Sequence, residues 1–291
     1  MQFRSIGDTK VSAIGLGGMP MSIEGRPDQA RSIATIHAAL DAGITLIDTA
    51  DAYHIGANEV GHNESLIARA LATYNGDTSQ VLVATKGGHR RPGDGTWSLN
   101  GSADYLKAAC EASLRRLGVD AIGLYQFHRP DPATPYEESI GAIRDLLDQG
   151  KIRMAGISNA NPQQIRLANE ILGGRLVSVQ NQFSPTFRAS EPELRLCEQL
   201  GIAFLPWSPL GGIGGTRQRG PAHAPFQQLG KDIGVSPQQV ILAWMLALSA
   251  TVVPIPGASR PATTRDSAAA AELRLTPEQL AHLNGNPIVA K

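Results

Sequence analysis

A regular alternation of short apolar segments with helix-like segments is the feature that most constrains the fold of this chain. Eight segments have the length and the apolar or β-branched content of strands. Most are too apolar on both faces for a half-exposed antiparallel sheet, and they suit parallel strands covered by helices. In chain order they are AIGLGG, ITLIDT, VLVATK, IGLYQFH, IRMAGIS, LVSVQNQ, AFLPWS and TVVPIP.

Helix signals lie between these segments. RPDQARSIATIHAALDAG and SADYLKAACEASLRRLG each end at a glycine, as helices often do. Asn161 followed by Pro162, and Ser236 followed by Pro237, combine an N-cap residue with a first-turn proline. The segments NPQQIRLANEILGG and SPQQVILAWMLAL are therefore also predicted to be helices.

Eight strands alternating with helices predict a single α/β domain over residues 1–291, a parallel eight-stranded (β/α)8 TIM barrel. The preceding FRSIGDTKVSAI resembles a short N-terminal β-hairpin that closes the bottom of the barrel, with Gly7 and Asp8 in its turn. The alternative is an open doubly wound sheet, which needs a glycine fingerprint after its first strand. GLGGMP has Pro20 at the third glycine position, so we favour the barrel.

Charge and composition argue against several classes of function. Lysine plus arginine equal aspartate plus glutamate, at 26 each, so nothing favours a nucleic acid or an acidic membrane as partner. No segment approaches the ~20 apolar residues that cross a bilayer, and the N-terminus lacks the apolar core of a signal peptide. Cys110 and Cys197 lack metal-ligand spacing and are predicted to be reduced core residues. We therefore expect a soluble, cytoplasmic protein.

Polar or aromatic side chains follow most of the predicted strands at the point where each strand ends. In a parallel barrel these ends meet at one rim, where the active sites of such enzymes lie. The residues are Asp48, Lys86, His128, Ser158 with Asn159, Gln180 with Asn181, and Trp207 with Ser208. The segment TLIDTADAYH adds Tyr53 in the loop after Asp48. The sequence therefore predicts a site at the carboxyl ends of the strands.

An aspartate, a tyrosine, a lysine and a histidine at one rim form a coherent acid–base set. A free phenol has a pKa near ~10, and a neighbouring ammonium lowers that value. We expect Lys86 to supply the ammonium, Asp48 to orient it, and Tyr53 to protonate a carbonyl oxygen. His128 would position the same oxygen by a hydrogen bond. Each residue alone also has a structural explanation, so the hypothesis depends on all four lying together.

The sequence also resembles the aldo-keto reductase family over nearly its whole length. LIDTADAY, GHNESLIARAL, LVATK and LYQFHRPD are similar to motifs of the family, and GKIRMAGISN, VQNQFS, PWSPLGG and IPGASRPATTRDSAAA follow in the family's order. The resemblance implies a catalytic tetrad of Asp48, Tyr53, Lys86 and His128. It implies an NAD(P)H-dependent oxidoreductase that interconverts an aldehyde or ketone and the alcohol, with no metal.

The same resemblance implies contacts to the cofactor. Ser158, Asn159 and Gln180 match positions that hold the nicotinamide carboxamide, and Trp207 matches an aromatic residue that stacks on the ring. Further contacts are expected in the SPLGG phosphate loop and in the last motif. These are Ser208, Leu210, Gly212, Gly257, Ser259, Arg260, Asp266 and Ser267.

This last motif departs from the family pattern. The lysine and arginine that often lie near the adenosine 2′-phosphate are replaced by Gly257 and Thr263. Arg260 remains nearby and suits a bidentate grip on a phosphate, so we expect NADPH rather than NADH. His54 stands where glycine is frequent in the family, and we expect it to face solvent.

Other functions remain open at this point. The chain can be a cofactor-binding accessory or sensor protein of the same fold, whereas a barrel hydrolase or isomerase would usually need paired carboxylates or a metal at the rim. For an enzyme, we expect a small carbonyl substrate, with specificity in GGHRRPGDGTWSLNG and GGIGGTRQRGPAHAPF. Arg90, Arg91, Arg217 and Arg219 are either an anion site or solvated charges. Trp97 either lines the pocket or packs its loop.

Overall fold

The computed structural model describes residues 1–212 and 221–285 and shows an α/β fold. The strands are β1 (Phe3–Ile6), β2 (Thr9–Ser12), β3 (Leu16–Gly17), β4 (Leu46–Asp48), β5 (Leu82–Gly87), β6 (His89–Arg90), β7 (Ser98–Leu99), β8 (Ile122–Phe127), β9 (Ile152–Ser158), β10 (Leu176–Gln180) and β11 (Ala203–Phe204). The helices are α1 (Gln29–Asp41), α2 (His62–Ala72), α3 (Ala103–Leu117), α4 (Tyr136–Asp148), α5 (Pro162–Ile171), α6 (Glu191–Leu200), α7 (Ala224–Ile233), α8 (Pro237–Leu248), α9 (Pro261–Ala269) and α10 (Pro277–Asn284).

Seven of these strands form one curled sheet in the order β11-β10-β9-β8-β5-β4-β3, and every neighbouring pair is parallel. Each belongs to one of the first seven segments predicted as strands. Helices follow or separate the strands along the chain, as a parallel sheet requires. The predicted α/β barrel class is therefore confirmed, with seven regular strands in the described part of the chain.

The predicted helix signals act as expected. The side chains of Ser102, Asn161 and Ser236 each accept a hydrogen bond from the backbone N–H three residues further on, at the starts of α3, α5 and α8. Asp28 does the same for α1. Gly118 ends α3 with φ of 68°, in the left-handed region that favours glycine.

Side chains alternate between the two faces of a strand, and this explains how apolar and polar residues share the inner face of the sheet. Leu46 packs in a cluster with residues of the other strands, whereas Ile47 packs in a different cluster that includes residues of α1 and α2. Because side chains alternate along a strand, Asp48 returns to the face of Leu46. In β5, Ala84 belongs to the same inner cluster and Lys86 follows it on that face. The apolar inner rows of β4 and β5 thus each end with a polar group.

The segment TVVPIP, predicted as the eighth strand, does not form a regular strand. Val253 N–H donates to the carbonyl of Phe204, and the carbonyls of Pro254 and Pro256 accept from Gly15 and Gly17. Since proline has no N–H, this segment cannot donate in return to the β3 side at those two residues. It therefore joins the two edges of the sheet through isolated bridges instead of a continuous ladder.

The N-terminal strands β1 and β2 pair antiparallel, with Gly7 at φ of 57° in the turn. Ile6 and Val11 are fully buried in the inner cluster of the sheet. A Cβ on Gly7 would lie 3.0 Å from Val177 and 3.2 Å from the sulfur of Met154, both near the amino ends of their strands. This pair of strands therefore packs near the amino ends of β9 and β10.

Two composition-based expectations can also be compared with the structure. Cys110 and Cys197 are buried in α3 and α6 as free thiols. Across residues 1–212 and 221–285, no helix combines the length and the apolar content needed to span a bilayer.

Candidate active site

The carboxyl ends of the parallel strands open into a cavity of about 400 Å³. Its wall combines strand-end residues with residues of the loops that follow them. Among the described residues, the wall consists of Gly17, Met19, Pro20, Asp48, Tyr53, His89, Trp97, His128, Arg129, Ser158, Asn159, Gln180, Trp207, Ser208, Pro209, Leu210, Gly212, Ile255, Pro256, Gly257, Ala258, Ser259, Arg260 and Thr263.

Lys86 lies directly behind this wall and connects the carboxylate with the phenol. Its side chain is fully buried, and its Nζ donates to Asp48 Oδ1 at 2.6 Å, to the Thr49 carbonyl at 2.7 Å and to Tyr53 Oη at 3.2 Å. Burial alone would lower the pKa of Lys86, but the charge of Asp48 and the phenol of Tyr53 outweigh it, so the pKa is raised. Lys86 is therefore an ammonium at neutral pH.

The second carboxylate oxygen of Asp48 is held by amides from the neighbouring strands. Gln180 Nε2 donates to Asp48 Oδ2 at 2.7 Å, and Gln126 Nε2 lies 3.5 Å from the same oxygen. Burial raises the pKa of Asp48, while Lys86 and both amides oppose that rise. Amide donors to a carboxylate are charge-assisted bonds, and they hold Asp48 in one orientation toward Lys86.

Tyr53 is almost completely buried, and only its cavity side remains open at 7% exposure. Burial raises the pKa of Tyr53, and the ammonium of Lys86 only offsets part of that increase. The expectation that Lys86 brings this pKa below its ordinary value is therefore wrong for the protein alone. At neutral pH the phenol is protonated and is a proton donor.

His128 completes the group on the cavity wall. Its ring packs edge-on against Tyr53, with the ring centroids 5.8 Å apart. Burial places the pKa of His128 well below its ordinary value, and the positive charge of Lys86 adds to that effect. Its Nδ1 is buried without a hydrogen-bond partner in the described part of the chain. The imidazole is thus neutral and can offer an N–H into the cavity.

Ser158, Asn159 and Gln180 lie together on the wall beside this group. Ser158 Oγ donates to the Gln180 carbonyl at 2.7 Å, and Asn159 Nδ2 donates to the His128 carbonyl at 3.0 Å. Asn159 has φ of 58°, an uncommon left-handed conformation that turns the chain after β9. The Gln180 amide oxygen has no partner among residues 1–212 and 221–285, so it is free to accept a hydrogen bond.

The loop after β11, which contains the PWSPLGG segment, places Trp207, Ser208, Leu210 and Gly212 on the wall. Trp207 is half-buried, and its Nε1 is enclosed with no hydrogen-bond partner in the described residues. Ser208 and Gly212 have φ of 50° and 79°, which bends the loop sharply. An aromatic face and a tight loop therefore adjoin the polar group.

Part of the last motif also reaches the wall, but part does not. Gly257, Ser259 and Arg260 line the cavity at the start of α9. Arg260 is exposed, and its guanidinium forms no ion pair or hydrogen bond with any described residue. Asp266 and Ser267 do not line this cavity.

Asp266 contacts the start of α8, the helix that packs beside α9. The carboxylate of Asp266 accepts from Ser236 Oγ and from Gln239 Nε2, both at 2.7 Å. It therefore ties the start of α8 to α9. Ser267 is buried within α9 at 3% exposure.

Several wall residues were not predicted, whereas Trp97 had two interpretations, one of them in the pocket. His89 and Trp97 come from β6 and from the turn before β7, an antiparallel pair inside a segment interpreted as a loop. HRRPGDGTWSL, with its proline and glycines between flanking runs, contains a hairpin signal that could have indicated this. Trp97 lines the cavity and also packs against His89 and Arg91 of its own loop, so both of its interpretations apply. Arg129 and Met19 also line the cavity.

The burial of other loop residues can be compared with the predictions. His54 is buried at 1% exposure, and its Nδ1 lies 2.8 Å from the Gly56 carbonyl, so the solvent-facing interpretation is wrong. Arg91 is buried, whereas Arg90 is exposed over the ring of Tyr105. Arg217 and Arg219 lie outside the described residues. Within residues 1–212 and 221–285, there is no group of three or more histidine, cysteine or carboxylate side chains able to hold a metal.

Comparison with known proteins shows the family to which this chain is similar. A model of the aldo/keto reductase family matches residues 13–285. The chain is 35% identical to an uncharacterized oxidoreductase of Schizosaccharomyces pombe, over 96% of this chain and 88% of that protein. It is 36% identical to 6-dehydroglucose reductase of Novosphingobium aromaticivorans, over 94% of this chain and 91% of that protein.

Solved structures agree with this assignment. The structure of an aldo/keto reductase from Klebsiella pneumoniae in complex with NADP and acetate matches with a TM-score of 0.80 and 26% identity. That match covers 97% of this chain and 94% of the other. The protein therefore belongs to the aldo/keto reductase family of NAD(P)H-dependent oxidoreductases.

Proposed function

We propose that the protein reduces an aldehyde or ketone to the alcohol, reversibly, with NADPH as the hydride donor and Tyr53 as the proton donor. The observation that carries the proposal is the buried contact of Lys86 with both Asp48 and Tyr53, beside a cavity that His128 also lines. Relatives named as oxidoreductases support the reaction class.

The cavity wall fits a nicotinamide cofactor. Trp207 offers an aromatic face beside Asn159 and Gln180, whose amides can bond a carboxamide. Arg260 offers its guanidinium, which is unpaired in the described part of the chain, for a phosphate group. When bound, the reduced nicotinamide supplies the hydride.

The protein's own residues then orient the carbonyl oxygen, donate a proton to it and stabilise the negative charge that remains. Neutral His128 orients that oxygen by a hydrogen bond, and the protonated phenol of Tyr53 gives its proton to it. Negative charge is left on the phenolate oxygen, next to the Lys86 ammonium that Asp48 holds in place. The oxidation direction uses the same groups in reverse, with the phenolate as base.

Substitution of Tyr53 tests this assignment. We expect Tyr53→Phe to lower kcat for 4-nitrobenzaldehyde by on the order of 10²–10⁴-fold, the contribution of a positioned acid. NADPH affinity, measured by fluorescence titration, should be kept. Tyr136→Phe is the matched control, because its hydroxyl is buried without a partner in the described residues and lies outside the cavity wall.

The outcomes separate an enzyme from a binding protein. Turnover in the wild type and in Tyr136→Phe, with loss in Tyr53→Phe, supports the proposal. Equal activity of Tyr53→Phe and wild type would refute Tyr53 as the acid. Tight NADPH binding without turnover of any carbonyl compound would favour the accessory or sensor function.

The preference for NADPH over NADH rests on Arg260. Its guanidinium has no partner among residues 1–212 and 221–285 and lies at the start of α9, where backbone N–H groups also favour an anion. Arg260→Met should therefore weaken NADPH binding by about 10-fold or more, as expected for a lost charge-assisted hydrogen bond, and leave NADH binding nearly unchanged. Equal losses for both cofactors would contradict a contact to the 2′-phosphate.

A further inference from the structure

We propose that Arg129 binds a carboxylate on the carbonyl substrate, so that the preferred substrates are anionic aldehydes or ketones. This inference rests on the proposed carbonyl reduction and adds the chemical class of the substrate. It begins from an arginine on the cavity wall that the proposed reaction does not use.

The guanidinium of Arg129 has few partners among the described residues. It follows His128 directly in the chain and donates one hydrogen bond, to Asn159 Oδ1 at 3.3 Å. It forms no ion pair with any residue in 1–212 or 221–285. A half-buried arginine whose donors are largely unused retains its capacity to bind a carboxylate in the bidentate manner.

The rest of the wall does not neutralise this charge. Among the described wall residues Asp48 is the one carboxylate, and Lys86 and Gln180 already occupy its two oxygens. Burial and the charge of Arg129 bring the pKa of His89 to about 4, so that ring is neutral near pH 7. His128 is neutral as well. The described part of the cavity near β8 therefore carries an uncompensated positive charge.

The order of the strands places Arg129 away from the SPLGG loop and Arg260, the two regions that suit a cofactor phosphate. Arg129 follows β8, the central strand of the seven. The SPLGG loop follows β11 at one edge of the sheet, and Arg260 follows the segment that bridges the two edges. The nicotinamide end of the cofactor, expected at Asn159 and Gln180, has no anionic group. An anion at Arg129 must then come from the substrate.

The neighbours of Arg129 suit the body of such a substrate. Trp97 packs at a tilt against His89, with the ring centroids 4.6 Å apart and the planes at 33°, and His89 packs edge-on against His128 at 4.9 Å. This aromatic wall leads from the cavity mouth to the imidazole that orients the carbonyl. A planar carbonyl compound with a carboxylate therefore matches both the apolar and the charged part of the wall.

A pair of shape-matched aldehydes tests the inference. 4-Carboxybenzaldehyde carries the anion, and methyl 4-formylbenzoate presents a neutral ester at the same position. We expect the wild type to favour the carboxylate by about 10- to 100-fold in kcat/KM, as for a hydrogen-bonded charge pair. In Arg129→Met this ratio should fall to about one, mainly through the KM for the carboxylate, whereas Arg129→Lys should keep part of it.

Arg90→Met is the matched control. It removes the same charge from an exposed arginine that lies over Tyr105 and is not on the wall. It should keep the preference, which separates a direct contact from the general field of the protein. Thermal unfolding and NADPH titration of each variant show that folding and cofactor binding are retained.

Each failure has its own signature. Reduction of both aldehydes by the wild type without a preference for the carboxylate overturns the inference and leaves the proposed function intact. Reduction of neither aldehyde, nor of 4-nitrobenzaldehyde, removes the proposed function itself. A rise in the NADPH dissociation constant of Arg129→Met as large as the lost preference would assign Arg129 to the cofactor.

Discussion

The Nζ atom of Lys86 lies 3.2 Å from the phenol oxygen of Tyr53, and the lysine side chain is fully buried. A buried ammonium is costly unless it is paired, and here Asp48 at 2.6 Å supplies the pairing charge. The phenol is therefore placed against a cation whose position is set from the opposite side. A proton leaving Tyr53 would leave its negative charge at this cation.

Lys86→Met should both abolish reduction and destabilise the fold. The variant leaves the Asp48 carboxylate buried without its cation, a situation that costs about 3–5 kcal/mol in the free energy of unfolding. Urea denaturation measures this loss, and steady-state reduction of 4-nitrobenzaldehyde measures the activity. The double variant Lys86→Met/Asp48→Asn should recover much of the stability and none of the activity. A single variant as stable as the wild type would contradict the buried ion pair.

The pH dependence of reduction should show one alkaline limb. Tyr53 must be protonated to donate, and burial raises its pKa, so activity is lost only as the pH rises through that raised value. The pKa of His128 is lowered well below its ordinary value, so no inflection from it is expected between about pH 6 and about pH 8. The profile of kcat/KM measures both. An inflection near the ordinary histidine pKa that disappears in His128→Gln would contradict a neutral imidazole.

A second cluster of buried charged residues lies behind the site. It should make the free energy of unfolding depend on pH. Asp51 and Glu64 are both buried, and Glu64 is bonded to Arg116 Nε at 2.5 Å and to Thr85 Oγ1 at 2.6 Å. Burial and the charge of Glu64 raise the pKa of Asp51 well above its ordinary value. The folded state then binds this proton more tightly than the unfolded state. The contribution to stability is full below the unfolded pKa of about 3.9 and is lost as the pH rises through the raised folded value.

Asp51→Asn removes that titration. Its free energy of unfolding should therefore increase relative to the wild type as the pH rises from about 5 to about 9. Urea denaturation across this range measures the difference. Asp120→Asn, at an exposed position, should give a curve parallel to the wild type. Parallel curves for Asp51→Asn as well would show that Asp51 does not hold a proton in the folded state.

The sequence predicts those site residues whose position is fixed by the alternation of side chains along a strand. Asp48 and Lys86 end apolar rows of period two, so their common location follows from the strands alone. The bonds of Asp266 to the start of α8 join distant segments, and a local sequence pattern does not reveal such a contact. The eighth predicted strand is not regular because Pro254 and Pro256 have no N–H to donate to a neighbouring strand. The raised pKa of Tyr53 depends on the depth of burial, which becomes visible only once the fold is known.

Arg91 should control the substrate wall through Trp97, although it does not line the cavity itself. It is buried, bonds to the His54 carbonyl and to Glu24, and lies 4.7 Å from the centre of the Trp97 ring. Arg91→Met removes a cation–π contact and the bonds that tie these loops together. We expect the KM for 4-nitrobenzaldehyde to rise by about 3- to 10-fold with little change in kcat. Propanal is too small to need the aromatic wall and should be affected less.

A double-mutant cycle with Trp97→Ala checks that this effect passes through the indole. If Arg91 acts by holding Trp97, then Arg91→Met should add little to the KM once the indole is gone, because coupled neighbours are not additive. Arg90→Met, next in the chain and exposed, is expected to leave the KM unchanged. The same fold-increase from Arg91→Met in both backgrounds would instead mean that Arg91 acts through Glu24 and His54, on the loops and not on the wall.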